Sequence, residues 1–278
     1  MGVWERVSVF GKLWLYLLSK CIEMTITERH QFILQELKRA GTVNIVQLSE
    51  QMQVSGVTIR KDLKLLEDKN LLFRTHGGGS LNNPYAVERP INEKEFINSD
   101  EKQNIAREAL TLIRQTDSIM IGSGTTVFEL ARCLHPTKQI TVITPAVKVT
   151  LELSNRPNVE VLQLGGLIRQ NSSSVAGSYA EYILEHISCG ILFIGVDGID
   201  FDFGLSISNL TEAGLNQKMI NTAQIVVVLA DHTKFGKRGI GKICDLDQVQ
   251  YIVTDAGIPD EAVKSLEDRG VKVLVAGR

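Results

Sequence analysis

The sequence predicts a small helical unit over roughly residues 24–81, followed by an α/β domain with a mainly parallel sheet over 101–278. Three observations carry this. Helical spacing of apolar residues fills 26–70, the polar stretch "NNPYAVERP" with its two prolines separates the halves, and beyond 101 apolar strands alternate with amphipathic helices. The chain has 278 residues, 44% hydrophobic and 22% charged, an ordinary globular composition with length for two modest cores. A net charge of −2 excludes neither nucleic acid nor small-molecule partners, because one domain can carry a basic patch alone. Four scattered cysteines without a C-x-x-C pair, and only five histidines, argue against a zinc site or a disulfide framework and fit a reducing cytoplasm. No metal and no cofactor is therefore expected.

In chain order, residues 1–23 come first. "VSVFGKLWLYLLSKCIE" follows Arg6 like the apolar part of a signal peptide, but Lys12 interrupts it, no small-residue cleavage site follows, and it is too short to span a bilayer. The expectation is an extra segment, from an upstream start codon or as an added helix, and a protein without a membrane partner. Phe32, Ile33, Leu34 and Leu37 then predict a first helix closed by Ala40-Gly41. Val46, Leu48 and Met52 predict a second over 45–52, and Ser55 caps a third beginning in "QVSGVTIRKDLKLLEDKN". "LLFRTH" reads as a short strand before Gly77-Gly78-Gly79, and residues 82–100 read as a linker. In the second domain, strands are predicted at 117–121, 140–144, 159–164, 191–196, 224–229, 250–254 and 271–275. Helices are predicted at 101–114, 124–134, 145–154, 176–187, 210–222 and 260–269.

On a helical wheel Ile59, Leu63 and Leu66 share one face of the third helix, while Arg60, Lys61 and Lys64 lie opposite with Val57. Taken singly, this is a solvated basic face. After two short helices, with the tight "QVSG" turn before it and a basic wing bearing Arg74 and His76 behind it, the helix reads as one that enters a DNA major groove. Ser55 and Thr58 stand at its leading end.

These residues carry a family resemblance. "VSGVTIRKDLKLLE" and "LLFRTHGGG", with Arg29, Ile33, Leu37, Gly41, Val43 and Leu48, resemble the winged helix-turn-helix domain of the DeoR family of bacterial transcriptional regulators over residues 26–81. The sequence departs from the family pattern at Lys61, where a second arginine is usual, and at Asn70, where glycine is usual. Lys61 reaches phosphate without the bidentate fork, and Asn70 tolerates the left-handed backbone.

In the second domain, small and polar residues gather directly after the strands: Gly122-Ser123-Gly124-Thr125-Thr126, "TPA", Gly165-Gly166 with Arg169, "DGID" and "ADHTKFGK". A parallel sheet brings such loops to its carboxyl edge, where open α/β folds bind ligands. The Gly/Ser/Thr loop before a helix suits an anion such as phosphate. "IGSGTT", "LGGLIR", "GSYAE", "LFIGVDGID", "TEAGLNQKMI" and "VVVLADHTKFGK" resemble the effector domain of the same family, extending the likeness to nearly all the chain after residue 23.

The resemblance implies a fold similar to ribose-5-phosphate isomerase, a phosphorylated sugar as effector, a homo-oligomer of at least two chains, and operator DNA as partner. It implies Ser123, Gly124, Thr125 and Thr126 at the phosphate, Asp197 and Lys234 near the sugar hydroxyls, and Arg169 and Glu212 beside them. Gly122, where aspartate is common, and Pro145-Ala146, where Asn-Ser is common, border the ligand. The alternative is an isomerase-like enzyme, because Asp197, Asp200, Glu212 and Lys234 offer acid–base groups and "DGID" resembles that enzyme's D-G-A-D. The enzyme's glycine- and lysine-rich stretch is replaced here by "FDFGLSISNLTEA", so a sensor that represses transcription, and no catalysis, is the expectation.

Overall fold

The computed structural model describes residues 24–69, 71–75, 77–81, 90–113 and 118–277. The expectations for residues 1–23, Asn70 and His76 lie outside the described residues. The chain divides into two compact units at Pro84/Tyr85.

In the first unit, helix α1 (Ile26–Ala40) opens with a capping box. The Thr25 hydroxyl accepts from the Glu28 N–H, and the Glu28 carboxylate accepts from the Thr25 N–H at 2.8 Å. Gly41, at φ +75°, ends the helix in the left-handed conformation that glycine adopts without strain. Strand β1 (Thr42–Asn44) leads to α2 (Ile45–Met52), capped by the Asn44 side chain, and Ser55 caps α3 (Gly56–Asp68). Ile59, Leu63 and Leu66 of α3 close on Ile33 and Leu37 of α1, on Leu48 and Met52 of α2, and on Leu72. Strands β2 (Phe73–Thr75) and β3 (Gly78–Ser80) complete an antiparallel sheet in the order β1-β3-β2. The glycine triplet is used at Gly78, where a Cβ would stand 1.7 Å from the Val43 carbonyl oxygen.

The second unit is built on a seven-stranded, wholly parallel sheet. Its strands are β4 (Ser118–Ile121), β5 (Ile140–Thr144), β6 (Val159–Gln163), β9 (Cys189–Gly195), β12 (Ala223–Leu229), β14 (Tyr251–Asp255) and β15 (Lys272–Ala276), in the order β15-β14-β12-β9-β4-β5-β6. Helices cover both faces, so successive residues of the central strands enter different cores and those strands read as near-continuous apolar runs. Met120, Leu192, Ile194, Val226 and Val228 pack with α8 (Ser178–Leu184), α9 (Leu210–Thr222) and α10 (Asp260–Glu267). Ile119, Ile121, Phe193, Val227 and Leu229 pack with α5 (Ser99–Leu110), α6 (Thr125–Cys133) and α7 (Val147–Leu153). The chain lays down β4, β5 and β6 in one direction and then returns to the other side of β4 for β9. The strand order therefore reverses between β4 and β9, the place where a crevice opens at the carboxyl ends.

The expected linker at 82–100 is corrected in its second half. Residues 91–95 form a short helix, α4 (Ile91–Glu95), and Asn98, at φ +52°, turns the chain into α5, all within the second unit. Charge density hid this segment, because its lysines and glutamates find their partners far along the chain. Two further features lacked a periodic signal: the hairpin β7 (Leu167–Arg169) with β8 (Ser174–Ala176), and a small sheet of β10 (Gly198–Asp200), β11 (Gly204–Ile207) and β13 (Gly241–Cys244). Strands of three or four residues are too short to show alternation.

Candidate DNA-binding face and ligand-binding edge

On α3 the aliphatic residues are buried, whereas Arg60, Lys61 and Lys64 are exposed along with Val57. Among the described residues no carboxylate pairs with these three cations. Ser55 and Thr58 hold the helix start: the Thr58 N–H donates to the Ser55 hydroxyl at 3.1 Å, and the two hydroxyls lie 2.9 Å apart. Arg74 on β2 is half-exposed and tied to the end of α3, its N–H donating to Glu67 at 2.8 Å. Sequence reasoning assigned no role to Asp62, which sets the pose of the helix. Buried on α3, Asp62 accepts from Arg29 Nε at 2.7 Å and Nη2 at 3.0 Å, a bidentate pair that bolts α3 to α1.

At the carboxyl edge of the sheet, the loop Gly122–Thr126 leaves β4 at the strand-order reversal. The Gly122 N–H donates to the Phe193 carbonyl of β9 at 2.9 Å, which seats the loop beside the turn after β9. Gly124, at φ +127°, starts α6 with no side-chain cap, so the first N–H groups of α6 are left to point out of the helix end. Thr125 and Thr126 follow, both nearly buried. An uncapped helix N-terminus of this kind carries the positive end of the helix dipole and free N–H donors.

Asp197 follows β9. Its carboxylate accepts from Lys94 Nζ at 2.8 Å, from the Ser208 N–H at 3.0 Å and from the Ser208 hydroxyl at 2.7 Å. Burial opposes ionisation, but the Lys94 and Lys234 charges and these hydrogen bonds outweigh it and hold the carboxyl at about 2. Asp231, after β12, is also buried. It accepts from Asn98 Nδ2 at 3.2 Å and from the Thr233 N–H at 2.9 Å, and its pKa lies low against the cost of burial through the Lys234 charge and these bonds. Lys102, 4% exposed, donates from Nζ to the Lys94 carbonyl at 2.5 Å. Burial pulls its pKa down to about 8, with Asp231 opposing that shift and Lys234 and Lys94 reinforcing it.

The structure thus brings Asp197 and Lys234 together and adds Lys94, Lys102, Asp231 and Asn98, which sequence reasoning missed. For Lys94 and Asn98 no signal existed in the expected linker. Lys102 gave one, a lysine on the apolar side of an amphipathic helix. Arg169 and Glu212 pair with each other at 3.0 Å. Glu212 lies in the first turn of α9, whose cap Asn209 directly follows Ser208, so the pair borders the Asp197 cluster through the start of that helix. Asp200 is turned to another use. It accepts from the Asp202 and Phe203 N–H groups and from Arg238 at 2.8 Å, closing the β10–β11 turn.

The α3 face has the form of a DNA-binding surface, and the second unit is an open α/β sheet with its polar loops gathered at the carboxyl edge. Comparison with known proteins agrees: a DeoR-like helix-turn-helix domain matches residues 29–84 and a DeoR C terminal sensor domain matches residues 97–256. The chain belongs to the DeoR family and is a DNA-binding transcriptional regulator. It is 35% identical to the uncharacterized HTH-type transcriptional regulator YulB of Bacillus subtilis, over 90% of this chain and 96% of that one. It is 32% identical to the HTH-type transcriptional repressor GlcR of the same organism, over 89% and 95%. A solved ribose 5-phosphate isomerase A from Methanocaldococcus jannaschii is similar over 50% of this chain and 55% of its own, at 18% identity and a TM-score of 0.36. Among the described residues no helix is long and apolar enough to cross a membrane, and no group of three or more His, Cys, Asp or Glu residues is placed to hold a metal ion.

Proposed function

We propose that the protein is a repressor of a carbohydrate-use operon, released from its operator by a phosphorylated sugar. The observation that carries the reading is the uncapped N-terminus of α6 at the strand-order reversal, beside a cluster of lysines and aspartates. Backbone N–H groups from Gly124 onward, with the hydroxyls of Ser123, Thr125 and Thr126, suit a phosphate; Gly122 gives the loop its close approach to β9. Asp197 and Lys234 suit sugar hydroxyls, with Arg169 and Glu212 at the border. Arg60, Lys61 and Lys64 enter the groove, Ser55 and Thr58 stand over the backbone at the helix start, Arg74 acts from the wing, and His76, outside the described residues, is a further DNA contact.

Reading an operator with paired half-sites requires at least a dimer, and the effector changes the geometry of the paired heads so that they no longer match those sites. Repression rather than activation draws support from the similarity to a chain named as a repressor. The role is carried out in the cytoplasm, without a cofactor and without catalysis. Asp200 speaks for sensing over isomerisation, because the turn and Arg238 occupy the carboxylate that an acid–base pair would need. A thermal-shift screen against sugar phosphates and their neutral parents tests the reading. A phosphorylated sugar raises the melting temperature and its parent does not.

A further inference from the structure

Residues 91–102 form a strap across the carboxyl edge that carries two lysines of the cluster above, and the strap is held there by groups from several separate loops. At one end the Ile91 N–H donates to the Asn171 carbonyl at 2.7 Å in the β7–β8 turn. Lys148, at the start of α7 after β5, then bonds Asn92 at 3.0 Å and pairs with Glu95. Further along, Lys94 reaches Asp197 after β9, and Asn98 reaches Asp231 after β12. In the sheet β4 lies between β5 and β9, so a segment pinned on both sides crosses the end of β4 and the Gly122–Thr126 loop. α4 packs on α6, the helix that this loop begins.

The strap also decides the charge of the site. Lys94, Lys102 and Lys234 face Asp197 and Asp231, and nearby Glu129 is matched by Arg132 at 3.1 Å. One positive charge is left over, and two of the three cations belong to the strap.

We infer that Lys94 is an effector-binding residue and that the strap is the element by which occupancy is read: the effector's phosphate takes Lys94 from Asp197 and loosens residues 91–98 from the edge. This rests on the anionic-effector reading proposed above. A phosphate dianion attracts Lys94 more strongly than one carboxylate does. Asp197 is not stranded by the exchange, because the N–H and hydroxyl of Ser208 remain on it and Lys234 stays nearby. Lys102, bonded to the carbonyl of Lys94, is a positioning residue that sets the resting height of the strap. The strap is the described part of the second unit that stands nearest in sequence to the DNA-binding unit.

The test uses the full chain, inorganic phosphate as probe, and amide hydrogen exchange as readout. Added phosphate should speed exchange over residues 91–98 while slowing it at Gly124–Phe128. Lys94→Gln should raise the phosphate dissociation constant roughly tenfold or more, and Lys94→Arg should restore most of the affinity. The Lys94 side chain is 27% exposed, so neither substitution opens a cavity. Slower or unchanged exchange in the wild-type strap on binding, or equal affinity in Lys94→Gln, would overturn the inference while leaving the phosphate loop standing. Wild-type protein that binds no phosphate, with exchange at Gly124–Phe128 unmoved, overturns the effector reading and this inference with it.

Discussion

At the residue scale, two carboxylates hold the functional parts in place, and both make predictions about stability. Asp62 is buried beneath α3 and shares two hydrogen bonds with Arg29, itself mostly covered. Deleting one partner of such a pair leaves the other charge buried without a counter-ion. Asp62→Ala should therefore destabilise the DNA-binding unit by roughly 3–5 kcal/mol in a denaturant titration. A loss well under that would mean water already reaches Arg29.

Asp197 gives the pH dependence. Its folded value of about 2 lies below the ordinary 3.8. Its contribution is therefore full above pH 4 and lost as pH falls toward 2, amounting to roughly 2 kcal/mol. Between those pH values the wild type should lose stability faster than Asp197→Asn, and parallel acid-unfolding curves would contradict the pairing.

At the element scale, α3 is a wedge with an aliphatic underside and a cationic top. Arg60→Ala should weaken operator binding by roughly 1–3 kcal/mol and blur sequence preference. Footprints identical to wild type would place recognition elsewhere. Element by element, the parts with two-sided burial were legible in the sequence: strand 140–144 and helix 210–222 are predicted with the bounds that the fold adopts. Their apolar runs are long enough to show a period, and Asn209 caps the helix where its predicted start lies.

The strap, the β7–β8 hairpin and the small β10-β11-β13 sheet were not legible. Their order comes from long-range partners, such as Lys94 with Asp197, 103 residues apart, and Arg238 with Asp200, 38 apart, and no local pattern announces partners so distant. For the candidate site, the Gly/Ser/Thr loop and the post-strand carboxylates could be read directly, because a parallel sheet brings every post-strand loop to one edge. The lysines facing them could not, since Lys94 sits in a segment whose composition resembles a linker.

At the scale of the whole molecule, the proposed phosphate loop lies in one unit and the proposed groove-reading helix in the other. The measurement that tests this most directly is operator release, followed on duplexes selected by the wild-type protein. It compares a phosphorylated sugar with its neutral parent, on wild type and on Gly124→Val. Gly124 sits at φ +127°, a conformation closed to valine, so the substitution reshapes the loop at the start of α6. The DNA-binding unit lies on the other side of the unit boundary and keeps its own core. The phosphosugar should release wild type, the neutral sugar should not, and Gly124→Val should stay folded and bound to operator with either. Release of wild type by the neutral sugar at equal concentration, or normal release of Gly124→Val by the phosphosugar, would contradict the proposed phosphate loop.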